Sequence, residues 1–212
     1  MFRISWNWKT GRCKTEPIEG ILKPLSGSTT TTPPHVLLAG SATFIASSDA
    51  SPCPEIHVLQ QGAAAPKQVL LCSSRQSLRQ LHITAIALDQ SPPASGLLRI
   101  AVFLSTGEVL GFLVHQNPEG TCRKFTYVPA RRTGRIIRAA YHHPLLVSLS
   151  EAFDLSLYDL SADAMQHTQT LTSYTTFPPS SLTLIAQIPG VRYKLVLAYS
   201  TPVFPLHFSI GK

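Results

Sequence analysis

From residue 35 onward the chain is a succession of short apolar or alternating runs, each bounded by turn residues. "HVLLAGS", "TFIASSD", "EIHVLQQ" and "KQVLLCS" open the series, and "LTLIAQI", "KLVLAYS" and "LHFSIGK" close it. Val, Ile, Leu, Phe and Tyr dominate these runs, the composition of strands that sit half-buried on a pleated surface. No stretch couples a 3.6-residue apolar period to runs of Glu, Lys and Arg, so long surface helices are not expected. Only over residues 161–172 does a helical turn compete with a strand, "QHTQTLTS".

The strands fall into groups of four. The first strand of each group begins near Val36, Ile83, Ile136 and Leu182, at spacings of 47, 53 and 46 residues. Such a period belongs to β-propellers, in which each four-stranded blade buries its faces against its neighbours. Loop insertions such as "QSPPASG" at 90–96 and "PEGTC" at 118–122 account for the excess over the usual repeat. "LRIAVFLSTGEVLGFLV" at 98–114 is an apolar strand, a tight Ser-Thr-Gly turn and a partly alternating strand. "LLVSLSEAFDLSLYDLS" at 145–161 repeats the plan, and "TFIASSDASPCPEIHVL" at 43–59 repeats it with a longer turn. A strand apolar on both faces belongs inside a stack of sheets. The expected fold is all-β: about four four-stranded blades of a propeller, short of a closed ring.

Composition agrees. A chain of 212 residues that is 44% hydrophobic and 14% charged can bury a core. Residues 24–34, "PLSGSTTTTPP", form a Pro/Ser/Thr linker between an N-terminal segment, 1–23, and the repeats of 35–212. Both tryptophans, Trp6 and Trp8, lie in that N-terminal segment, in a stretch too short and too basic to form its own core. They must pack against something. The start of the chain lacks the apolar run of a signal peptide, and no run approaches the ~18 residues of a membrane span. A cytoplasmic or nuclear protein without a membrane partner is therefore expected. Cys13, Cys53, Cys72 and Cys122 are widely spaced, with none of the pairs that grip zinc, and are read as reduced and mostly buried.

The formal charge of +7 is unevenly spread. Arg123, Lys124, Arg131, Arg132, Arg135 and Arg138 cluster without an intervening carboxylate. Such a stripe suits phosphate groups on protein or nucleic acid, and is otherwise an ordinary solvated face. No catalytic motif stands out. No serine lies in a Gly-x-Ser-x-Gly elbow, and Gly107 suits a hairpin turn rather than a phosphate loop. His142 and His143 invite a metal, but adjacent residues on a strand point to opposite faces, so a turn before Pro144 is the simpler reading. No enzyme activity, cofactor or metal is expected.

"LLVSLSEAFDLSLYDLS" resembles the core of a WD repeat, with Tyr158-Asp159 in the place of the Trp-Asp pair. The other repeats offer His57-Val58, Phe112-Leu113 and His207-Phe208 there, and Gly134-Arg135 stands in one case for the usual Gly-His. "NWKTGRCK", residues 7–14, resembles the Asn-Trp-x-x-Gly-x-Cys linker of F-box/WD-repeat proteins, the substrate receptors of cullin-RING ubiquitin ligases. The resemblance implies a non-catalytic propeller that recognises a protein partner or phosphorylated peptide. It also implies that Trp6 and Trp8 bury their rings at the junction with the F-box. The F-box would precede residue 1, and the ligase adaptor is a partner only in that case. Arg131, Arg132, Arg135 and Arg138 then fall where one blade connects to the next, on the face such propellers use for partners. The alternative is a WD-like scaffold or nucleic-acid-associated protein without any link to ubiquitination. On either reading circular dichroism should be dominated by strand, and a helix-dominated spectrum would refute the repeat assignment.

Overall fold

The computed structural model describes residues 33–60, 68–75, 79–92, 96–115, 122–130, 134–162, 164–172, 179–203 and 207–211. Among the described residues fifteen strands form four antiparallel sheets, each built from strands consecutive in sequence. The first holds β1 (His35–Ala39), β2 (Ala42–Ala46), β3 (Glu55–Gln60) and β4 (Gln68–Leu71). The second holds β5 (Ile83–Leu88), β6 (Leu97–Leu104), β7 (Val109–His115) and β8 (Cys122–Tyr127). The third holds β9 (Ile136–His142), β10 (Leu145–Ser150), β11 (Asp154–Asp159) and β12 (Gln166–Thr172). The last holds β13 (Pro179–Ile188), β14 (Arg192–Val203) and β15 (His207–Gly211). The first strands of successive sheets touch, β1 with β5, β5 with β9 and β9 with β13. The chain has the β-propeller fold, as an open arc of blades. Among the described residues no helix is long and apolar enough to cross a membrane.

The core is three layers between consecutive sheets. Phe44, Ile56 and Leu70 of the first sheet meet Ile100, Val102 and Phe112 of the second. Ala101 and Phe103, on the opposite face of the second sheet, meet Ile136, Tyr141, Leu146 and Tyr158 of the third. Val147 of β10 turns the other way, to Leu184 of β13. Alternate residues of β6 therefore serve two different layers, which is why this strand is apolar from Ile100 to Leu104. Its hairpin closes as its composition suggests: Gly107, at φ 86°, donates its N–H to the Leu104 carbonyl at 2.9 Å.

Residues 166–172 form a strand, not a helical turn, although all seven are exposed. The reason is cross-strand polar pairing. Thr168 Oγ1 donates to the Leu157 carbonyl at 2.9 Å, the Ser156 and Thr170 hydroxyls lie 3.0 Å apart, and Thr172 Oγ1 donates to Asp154 at 2.9 Å. β-branched threonines on a pleated rim favour this arrangement. Cys72 is buried, whereas Cys53 is only half-buried, and neither forms a disulfide. Residues 1–32, including Trp6, Trp8 and most of the 24–34 linker, lie outside the described residues.

Phe103 is fully buried in the layer between the second and third sheets. Phe103→Ala should lower the unfolding free energy by about 3–5 kcal/mol, because the sheets cannot close on the cavity. Urea melts should show the loss as a shifted midpoint.

Candidate functional site

The four sheets share an entry end, where each innermost strand begins. His35 is the first residue of β1, His82 directly precedes β5, and Arg135 directly precedes β9. The same position of three successive repeats thus carries a basic side chain. In the fourth repeat it carries Ser181. Arg138 adds a second guanidinium two residues into β9. Arg135 and Arg138 are both exposed, and among the described residues neither is held in an ion pair.

Electrostatics shows how near these groups are. His35 has its pKa lowered, first by burial and then by the charges of Arg135 and Arg138, against an opposing hydrogen bond. In that bond Nε2 lies 3.2 Å from the Ile83 carbonyl. A carbonyl only accepts, so Nε2 carries the proton. His82 is lowered likewise, by burial and then by Arg135. Residues from three sheets therefore lie together at this end, where Arg135 and Arg138 carry the positive charge and His35 and His82 are held neutral at neutral pH. The backbone there is fixed: Ser105 N donates to the His82 carbonyl at 3.0 Å, and Glu151 N donates to that of Arg135 at 2.8 Å. Glu108 is buried and engaged with Arg75 N and Thr106 Oγ1, both at 2.9 Å, while the exposed Glu151 lies beside Gly134.

Arg135 and Arg138 stand where the repeat pattern predicts, on the approach to and within the innermost strand of the third sheet. Arg131 and Arg132 lie outside the described residues, as do Trp6 and Trp8. Sequence reasoning missed His35 and His82. The available signal was periodic: both immediately precede the repeat starts at Val36 and Ile83, as Arg135 precedes Ile136.

The exit end of the blades holds a different group. Asp89 Oδ1 accepts from Ser91 N and His143 N, each at 2.9 Å, and Oδ2 accepts from Ser91 Oγ at 2.7 Å and Arg99 Nη1 at 3.2 Å. This carboxylate clasps the second sheet to the third. Tyr141, beside it, has its hydroxyl pKa driven up by burial and then by the Asp89 charge, with Arg99 acting in the opposite sense. The adjoining cavity, bordered by Arg99, Tyr141 and His143, measures about 10 Å³, roughly the room for one water. A wider hollow of about 220 Å³ lies between Gly40 and Leu97, but the Arg99 beside it is already paired with Asp89. The clasp is structural.

The two adjacent histidines diverge. His142 is buried with its ring 5.6 Å from that of Tyr193, while His143 sits in the turn with its N–H on Asp89. No group of three His, Cys, Asp or Glu side chains among the described residues is arranged to hold a metal. Tyr158 is a core aromatic, edge-on to Tyr127 at 5.6 Å and His167 at 5.5 Å. Asp159 caps the following turn, accepting from Ser161 N at 2.8 Å.

No family model matches the chain, and no curated protein matches it. Among solved structures it is similar to a complex of KlAtg21 with the coiled-coil of AgAtg16, at TM-score 0.50 and 15% identity, over 84% of this chain and 55% of that one. The N-terminal domain of Nup159 aligns at TM-score 0.37 and 9% identity, over 84% of this chain and 47% of that one. Both are β-propellers. The chain spans about half the length of each.

The lowered histidines make stability pH-dependent. Above the unfolded-state value of 6.5 both forms are neutral; as pH falls through it, the unfolded chain takes up protons first and the folded state loses ground. The urea midpoint should drop between about pH 7.5 and about pH 5.5, and His35→Gln with His82→Gln should flatten that drop.

Proposed function

We propose that this chain is a non-catalytic protein-interaction propeller that binds phosphorylated segments of partner proteins at its entry end. The carrying observation is the convergence of His35, His82, Arg135 and Arg138 from three successive sheets. A phosphoryl group brings a charge of about −1.5 to −2 and three acceptor oxygens, and guanidinium groups meet it bidentately. An arriving dianion also raises the depressed histidine pKa values, so the histidines would take up protons as it docks. Arg131 and Arg132 shortly precede Arg135 in the sequence.

The finer reading is that of a substrate receptor similar to the F-box/WD-repeat proteins, acting in the cytoplasm or nucleus. Its support is the four-strand rhythm, Tyr158-Asp159 at the end of β11, and the "NWKTGRCK" segment. A cullin-RING adaptor would join through an F-box upstream of these residues. KlAtg21, similar in fold, is seen with a protein partner, a coiled-coil. An F-box encoded in frame before residue 1, and cullin recovered with the full-length product, are what this finer reading expects.

Fluorescence anisotropy with matched phosphorylated and unphosphorylated peptides tests the site. The phosphorylated forms should bind selectively and with proton uptake, because the docked dianion raises the histidine pKa values from their lowered state. Arg135→Ala with Arg138→Ala should weaken that binding roughly tenfold to a hundredfold while leaving the melt unchanged. Equal binding of both peptide forms, or preference for RNA or DNA over either, would overturn the reading.

A further inference from the structure

The turns between the second and third strands of the blades lie at the entry end, and two of them follow one plan. In the second sheet Gly107 N donates to the Leu104 carbonyl at 2.9 Å, and Ser105 N donates to the His82 carbonyl at 3.0 Å. In the third sheet Phe153 N donates to the Ser150 carbonyl at 3.0 Å, and Glu151 N donates to the Arg135 carbonyl at 2.8 Å. The bonds correspond one for one, so Phe153 holds the place of Gly107. Both residues are left-handed, Gly107 at φ 86° and Phe153 at φ 65°. Glycine meets that requirement without strain, whereas a bulky side chain is rarely found there. Among the described residues Phe153 alone has a positive φ without being glycine.

The core does not account for the ring. Phe44 and Phe103 are fully buried and Phe112 nearly so, but Phe153 is only half-buried and belongs to no core layer among the described residues. The turn is nevertheless held firmly, since Ser150, itself buried, also accepts from Asp154 N through Oγ at 3.1 Å. Backbone strain persists where the surroundings over-determine it, and it gathers at ligand sites. Here the strained turn stands beside the guanidinium pair, because the Arg135 carbonyl is bonded to Glu151, which precedes Phe153 by two residues. Residues joined across a ladder lie about 5 Å apart and each further residue adds at most ~3.8 Å, which puts Phe153 within roughly 13 Å of Arg135 along the backbone. An extended segment rises about 3.3 Å per residue and covers that distance in about four residues.

We infer that Phe153 is a specificity-determining residue of the entry-end site, kept in a strained turn so that its ring receives an apolar side chain of the bound segment. The inference rests on the phosphopeptide reading and narrows it. Arg135 and Arg138 select the phosphoryl group, and Phe153 selects an aliphatic or aromatic residue within about four positions of it. Such a side chain leaves water against the phenyl ring and adds affinity without charge. Glycine in the same turn offers no surface for that contact, which is why the third repeat departs from the Gly107 of the second.

The test is a series of phosphothreonine peptides built otherwise from serine and glycine, with a single leucine placed at each position in turn on either side of the phosphothreonine. Anisotropy with the full-length chain should show the leucine tightening binding roughly tenfold at one or more of the nearer positions. Phe153→Gly should abolish that gain and keep the preference for phosphorylated over unphosphorylated peptide. It should also leave the urea midpoint unchanged or raised, because glycine is unstrained in this turn. Phe153→Tyr, which keeps the ring, should keep the gain. A leucine that tightens nothing, or a gain that survives Phe153→Gly, would overturn the inference and leave the phosphate selectivity standing. So would a midpoint that falls for Phe153→Gly as far as for Phe103→Ala, since the ring would then be a packing element. Equal binding of phosphorylated and unphosphorylated peptides would remove the site itself, and this inference with it.

Discussion

The structure depends on one constraint: a four-stranded sheet rich in Val, Ile, Leu and Phe must bury at least one face, and an inner sheet must bury two. In this chain the constraint is met by stacking each sheet on the next one in sequence. Residues only one position apart in β6, such as Val102 and Phe103, therefore belong to different core layers. The same rule makes β12 polar, because it lies at the outer edge of its sheet with every side chain exposed. It also leaves Val36 and Leu38 of the first sheet exposed, on the side away from the second.

Polar groups are placed where the layers permit them. Asp89 is buried, and each of its oxygens accepts two hydrogen bonds, so a charge in the seam is tolerated and couples the second sheet to the third. At the entry end the opposite holds. Arg135 and Arg138 remain solvated, and their proximity is registered chiefly in the lowered pKa values of His35 and His82. Repetition of the blade turns a single sequence position into a cluster: a basic residue just before each innermost strand reappears near its counterparts because the innermost strands lie side by side. A ligand with several acceptor oxygens matches that geometry better than an isolated salt bridge would.

Much of this was legible before any coordinates. Among the described residues, the strands other than β12 coincide with runs recognisable from alternation, β-branched content and turn residues, since these are local consequences of pleat and burial. Gly107 in its turn and Arg135 before an innermost strand were equally local. The strand over 166–172 stayed open because its evidence is polar pairing with β11, which a local pattern does not contain.

The end faces show where local reasoning stops. Sequence alone marks Val36, Leu37 and Leu38, and likewise Leu195, Val196 and Leu197, as uniformly apolar runs. The structure corrects this residue by residue: Leu37 packs towards the second sheet and Leu195 towards the third, while Val36 and Leu38 point away. Hydrophobic pattern and turn chemistry determined the strands, their order and the four-part repeat, because each depends on neighbours within a few residues. The meeting of His35, His82, Arg135 and Arg138, the clasp at Asp89, and the choice of exposed face were decided only by tertiary structure. They require residues about fifty positions apart to be brought together, and only the stacking of one sheet on the next does that.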